Sequence, residues 1–223
     1  LKLKLSIVLI AALSVSAAST ESVLARMDEA AASFRGMIAK ITKTSYTAVI
    51  KESTEESGVI RMRSPKPRQV AALIEFDKPA PKSIAFRDKK AQIFLPKINT
   101  VQEYDLGKYN DLLTQGLLIG FATPSRDLRK NYAIKVAAEE SVAGQKATKL
   151  ELIPTQETIK QHLNRIELWI GETDGLPVQQ KLYQPSGDYT QIQYRDMKLD
   201  PSLTEQQVRL NLPANVKREF PQK

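Results

Sequence analysis

The stretch from Asn164 to Leu199, "NRIELWIGETDGLPVQQKLYQPSGDYTQIQYRDMKL", constrains the fold most. Ile166, Leu168 and Ile170 fall at every second position and so share one face of a strand. Asp174-Gly175 supplies a turn, Leu176, Val178 and Leu182 run back, and Ser186-Gly187-Asp188 turns again. Connections this short join antiparallel neighbours, because a parallel pair needs a crossover of about a dozen residues. The pattern recurs along the chain. "NYAIKVAAEESVAGQKATKLELIP" predicts a hairpin turning at Ala143-Gly144, with Tyr132, Ile134 and Val136 on one arm and Leu150 and Leu152 on the other. "FRGMIAKITKTSYTAVIKES" and "SGVIRMRS" predict strands with turn residues at Glu55 to Gly58. "PRQVAALIEFDKP", "SIAFRDKKAQIFLP" and "NTVQEYDL" add more, closed by Pro, Asp-Lys and Asn turns. About eleven strands result, in one large curved antiparallel sheet. The fold class is mainly β with helices, and the sequence shows no internal repeat or low-complexity linker.

Two segments break the β pattern. Residues 20 to 33, "TESVLARMDEAAAS", read as a helix, with Thr20 as its N-cap and Val23, Leu24, Met27, Ala30 and Ala31 at helical spacing. The second is residues 108 to 130, around "DLLTQGLLIGF". Its leucines and Phe121 make it apolar, yet a bilayer span takes about 20 residues. Gly116 and Gly120 also interrupt it as a strand. It is expected to be a helical insertion.

"LKLKLSIVLIAALSVSA" has Lys2 and Lys4, an apolar run from Leu5 to Leu13, and then small residues. Residues 1–17 therefore read as a secretory signal peptide cut after Ala17, leaving 18–223 as a single domain in an envelope space such as the periplasm. The chain has no cysteine, so it has no disulfide and no residue to carry a lipoprotein's own lipid. Its net charge is +8 over 223 residues, a modest excess that favours anionic partners such as lipid headgroups. The basic residues are spread rather than clustered with aromatics, so no nucleic-acid partner is expected.

No catalytic constellation is found, and the chain is not expected to be an enzyme. The one histidine, His162, lies in the polar segment "TQETIKQHLNR" and is expected to be exposed. One His and no Cys leave no ordinary zinc site and no Cys-His pair, so neither metal nor cofactor is expected. There is no Gly-rich phosphate loop. Glu55-Glu56 and Glu139-Glu140 sit in polar, turn-like stretches and read as solvated pairs.

A binding protein remains. Val70, Ala72, Ile74, Phe76, Ile84, Phe86, Leu150, Leu152, Leu168 and Ile170 line a sheet face that needs a cover. Either helices seal it as permanent core, or "DLLTQGLLIGF" is a movable lid over a cavity. Two glycines, each costing about 1 kcal/mol in a helix relative to Ala, suit a segment that opens.

The C-terminal half carries a resemblance. "GQKATKLELIP" has Gly144 leading into Leu150, Leu152 and Pro154; Trp169 to Pro177 give an apolar strand and a D-G-L-P turn; Gly187-Asp188 turns again; "VRLNLPANVK" closes with Pro213 and Val216. In this order the motifs resemble the outer-membrane lipoprotein carrier (LolA-like) family. The resemblance covers essentially the whole of 18–223. It implies an incomplete antiparallel half-barrel with an N-terminal helix and a helical lid, here Leu112, Leu113, Gly116, Leu117, Gly120 and Phe121. It also implies a monomeric periplasmic carrier of acylated lipoproteins or lipids, loaded by an inner-membrane ABC-type release complex and unloaded at an outer-membrane acceptor. Carriers place an Arg before the Pro that follows the second strand. Here Ser64 precedes Pro65 and Lys66 precedes Pro67, leaving Arg63 and Arg68 as candidate lid locks. The usual Gly is also missing from the Asp88-Lys89-Lys90 turn. The competing reading is a regulatory sensor of the same fold. Such sensors usually carry an extra C-terminal domain, which this chain is too short to show.

Overall fold

The structure, a computed structural model, describes residues 18–66, 69–87, 90–106, 119–200 and 202–221. Residues 1–17, expected to be a signal peptide, and Arg68, Leu112, Leu113, Gly116 and Leu117 lie outside these residues.

Helix α1 (Thr20–Ser33) leads into β1 (Gly36–Thr47), β2 (Glu52–Lys66), β3 (Gln69–Lys78), β4 (Lys82–Arg87), β5 (Lys90–Leu95) and β6 (Thr100–Asp105). Helix α2 (Ser125–Asn131) precedes the hairpin β7 (Tyr132–Val142) and β8 (Gln145–Pro154). The short helix α3 (Glu157–Lys160) precedes β9 (Arg165–Gly171), β10 (Pro177–Tyr183) and β11 (Tyr189–Leu199), and β12 (Lys217–Glu219) comes last. The twelve strands of the described residues form one sheet, in the order β12-β6-β5-β4-β3-β2-β1-β11-β10-β9-β8-β7. Its two ends do not meet, so it is an open curved sheet, the expected LolA-like half-barrel. Among the described residues only β12 pairs in parallel, along β6.

Register explains the core. Cross-strand partners share a face, so Leu150, Leu168, Gln180 and Ile192 form one row, and Ala39, Ile60, Ile74, Ile84 and Ile93 another. On the β7–β9 side, α1 covers this inner face. Val23, Leu24 and Met27 are buried on Leu128, Leu150, Leu152, Leu168 and Ile170. Their i, i+1, i+4 spacing is the apolar stripe of an amphipathic helix. Gly175 admits the helix closely: a Cβ there would lie 2.6 Å from the Arg26 carbonyl oxygen. Its φ of +67° also suits the turn.

Four expectations need correction. Ser19, not Thr20, caps α1, its Oγ accepting the Ser22 N–H at 3.1 Å; Thr20 instead accepts the Val136 N–H. The first hairpin turns at residues 48–51 rather than at Glu55–Gly58, which lie inside β2. Gly58 marks a close approach, since a Cβ there would sit 2.0 Å from the Glu75 carbonyl oxygen. "VRLNLPANVK" is not a strand over most of its length: a 3-10 turn, Gln206–Val208, is followed by irregular chain, and only Lys217–Glu219 pairs. Val178 leaves the Leu176–Leu182 face. An irregularity between Pro177 and Gln179 turns it to the opposite side, against Trp169, Val142 and Ala147. The turns expected at Ala143-Gly144, Asp174-Gly175 and Gly187 are present, with Gly144, Gly175 and Gly187 all at positive φ.

Candidate binding face

The ten residues proposed for the cavity fall into two groups. Leu150, Leu152, Leu168 and Ile170 are fully buried beneath α1. Ala72, Ile74 and Phe76 are buried on the other side, in a cluster with Met62, Ile60, Phe34 and Tyr194. Val70, Ile84 and Phe86 pack against that cluster and stay half-buried. Ile84 faces Ile74 across the β3–β4 ladder, and Phe86 faces Ala72.

Residues 119–121 join the groups. Ile119 belongs to the cluster under α1 and Phe121 to the β1–β4 cluster, and both are fully buried. Phe121 meets Tyr194 edge-on at 5.1 Å and Phe34 at 5.9 Å between ring centroids. Gly120 between them has φ +87°, and a Cβ there would lie 2.7 Å from Pro177 Cγ. Beyond Ala122 the chain is tied to α1, because Asp28 accepts hydrogen bonds from the Ser125 N–H and Oγ, both at 2.6 Å. A cleft of about 360 Å³ opens beside this tie, lined by Ala31, Phe34, Arg35, Ser64, Ala122 and Arg126 among others. Ser64, where carriers have Arg, is buried, and its N–H bonds to the Arg35 carbonyl at 2.8 Å. Arg63 donates from Nε to the Leu203 carbonyl at 2.7 Å, tying β2 to the chain beyond β11.

Three polar features of the inner face escape a reading based on apolar alternation. Gln180 is fully buried in the Leu150–Ile192 row, and neither side-chain amide atom has a partner among the described residues. The Tyr194 hydroxyl is likewise buried with no partner among the described residues, and burial pushes its pKa well above the ordinary tyrosine value. Both positions keep step with Leu182 and Ile192 in a period of two, which is the signal that could have placed them inside. Further along, Glu56 accepts from Lys43 at 3.0 Å and Lys82 at 2.5 Å, and Lys82 sits over the Phe76 ring. Burial works to raise the Glu56 carboxyl, but hydrogen bonds from Lys82 and Lys43 outweigh it and hold the pKa below its ordinary value. The acidic pairs are therefore not bare solvated groups. Glu140, too, is engaged, by Lys149 and by Trp169 Nε1 at 2.7 Å.

His162 is exposed. Among the described residues no three His, Cys, Asp or Glu side chains could hold a metal, and no helix is long and apolar enough to cross a membrane.

Comparison with known proteins agrees with this architecture. Residues 19–212 match the MucB/RseB N-terminal domain family. The crystal structure of MucB is similar, with 18% identity, a TM-score of 0.56, and 88% of this chain and 64% of that one covered. The chain thus spans less than two thirds of MucB. MucB in complex with MucA(peri) gives 20% identity and a TM-score of 0.51, covering 88% of this chain and 61% of that one. An uncharacterized conserved protein from Thermus thermophilus gives 16% identity and a TM-score of 0.54, covering 90% of this chain and 98% of that one. No curated protein matches the sequence. A match over 19–212 takes in nearly the whole described fold, and the chain belongs to the MucB/RseB N-terminal domain family, a LolA-like family.

Proposed function

We propose that this protein is a non-enzymatic binding module of the cell envelope that takes the acyl chains of a lipoprotein or lipid on the inner face of its half-barrel. The observation that carries the reading is the half-buried row Val70, Ile84 and Phe86, continuous with a buried apolar floor. Each CH₂ withdrawn from water is worth about 0.8 kcal/mol, so an acyl chain gains from such a face without any tight polar site.

Family membership supports a regulatory use, in which lipid on the inner face alters affinity for a protein partner. A MucB structure was solved with MucA(peri), which makes a protein partner of this chain a natural object of search. The resemblance to lipoprotein carriers supports the second use: periplasmic carriage from an inner-membrane ABC-type release complex to an outer-membrane acceptor.

Native mass spectrometry of the protein purified from its own envelope, followed by extraction, tests the reading. A bound lipoprotein or phospholipid is expected. Release of a captured protein partner on adding that lipid marks a regulator, and transfer of the lipid to acceptor vesicles marks a carrier. An empty protein that also fails to bind a fluorescent acyl probe overturns the proposal.

A further inference from the structure

The β1–β2 hairpin reaches beyond its neighbour on one side. Ser57 is the last residue of β2 paired with β3, opposite Lys78, whereas Glu52 to Glu56 pair only with β1. At its tip Val49 is 88% exposed and Ile50 61% exposed, adjacent aliphatic side chains in a four-residue turn. Among the described residues the other large exposed apolar side chains, Ile98, Ile153, Leu199 and Phe220, are not adjacent in sequence. The tip is held in place. The Ala48 N–H donates to Asp188 Oδ1 at 2.7 Å, and Gly187 packs close to the Ala48 methyl group.

Below the tip lies an aromatic row. Tyr46 stacks on Tyr189 at 5.0 Å, and Tyr183 follows at 5.8 Å. Lys181 Nζ lies 3.7 Å from the Tyr189 ring centroid, and the Arg165 guanidinium 3.8 Å from that of Tyr183. Tyr46 lies in the last two residues of β1, immediately before the turn at 48–51 that carries Val49 and Ile50. Interfacial anchors insert apolar groups about 5–10 Å into the headgroup and acyl boundary, with tyrosines at headgroup level.

From this geometry we infer that the β1–β2 hairpin tip docks the protein on a phospholipid bilayer, with Val49 and Ile50 in the acyl boundary and Tyr46, Tyr189 and Tyr183 among the headgroups. A protein partner fits less well, because a two-residue tip falls far short of the roughly 1,000 Å² that a stable interface buries. The nearby charges nearly cancel. The tip and the tyrosine row carry Lys51, Lys181 and Arg165 against Glu52, Glu55, Glu167 and Asp188, and Arg165 pairs with Glu167. Docking therefore needs no anionic lipid. The site is separate from the inner face, so it stands or falls independently of the proposed acyl binding.

The experiment is flotation of residues 18–223, without the apolar run Leu5–Leu13, with phosphatidylcholine vesicles. Wild type is expected to float, with little change between about 0.1 and 0.5 M salt. The double variant Val49→Asp/Ile50→Asp should lose about tenfold in partitioning per side chain. Its circular dichroism and its binding of a fluorescent acyl probe should stay at wild-type level. Ile50→Trp should show blue-shifted emission quenched by brominated lipid. The inference is overturned if wild type does not float, if the double variant floats equally well, or if steep salt dependence shows binding through charge. Loss of self-association in the double variant would overturn it in favour of a second copy as the occupant.

Discussion

The two halves of the inner face share one sheet and one alternation, yet end differently. Under α1, Leu150, Leu152, Leu168 and Ile170 are wholly removed from water, whereas on β3 and β4 Val70, Ile84 and Phe86 remain half-buried. Strand pattern alone does not separate them. Among the described residues, what differs is where α1 lands: its apolar stripe seals one half, and only its last turn, at Ala30, reaches the other. Burying a large aliphatic side chain contributes about 1.5–3 kcal/mol, so the α1 half supplies much of the stability.

Substitutions in the two halves should differ accordingly. The largest effect is expected from Met27→Asp, which places a charge in the sealed cluster; it should cost more than about 4 kcal/mol and unfold the domain, as thermal denaturation would register. Leu152→Ala should cost about 2–5 kcal/mol in urea unfolding, whereas Ile84→Ala should cost less than half as much while weakening acyl-probe binding. Equal costs would erase the distinction between the halves. Tyr194→Phe removes a buried hydroxyl that has no partner among the described residues and should stabilise by about 1 kcal/mol.

The same tyrosine has a pH consequence. A folded-state pKa raised by burial contributes stability below the unfolded value of about 10 and loses it as pH rises further. Tyr132, pushed up to about 12, acts in the same direction. Tyr194→Phe should therefore blunt alkaline unfolding. Glu56 works oppositely: its lowered pKa gives stability present above about 4.3 and lost as pH falls through the folded value. Glu56→Gln should flatten the acid limb of a urea-midpoint profile. His162→Ala, exposed, should change stability by less than about 0.5 kcal/mol.

The meander, the N-terminal helix and three of the turns were legible because period two, period 3.6 and Gly-containing turns are local signals. The first hairpin turn was not. Gly58 looks like a turn residue in sequence, but it is glycine because the Glu75 carbonyl approaches it from β3, a contact between distant positions. The true turn at residues 48–51 has no glycine and places Lys51 at φ +56°. The inward positions were legible as a list, while their division was not, because it depends on where α1 lands. Gln180 was hidden for the opposite reason: it is polar where the period demands an apolar residue. Leu112, Leu113, Gly116 and Leu117 lie outside the described residues, so from the proposed lid only Gly120 and Phe121 are placed.

The three residues 119–121 have a mechanical consequence. Ile119 and Phe121 are seated in different clusters, and the chain between them is a single glycine at φ +87° wedged against Pro177 and Leu168. So short a link has no slack. A ligand that displaced Phe121 would pull on Ile119 and loosen the packing beneath α1, and a change at α1 would be felt at Phe121. Occupancy of one half would then be linked thermodynamically to the integrity of the other, with the same coupling energy read in either direction.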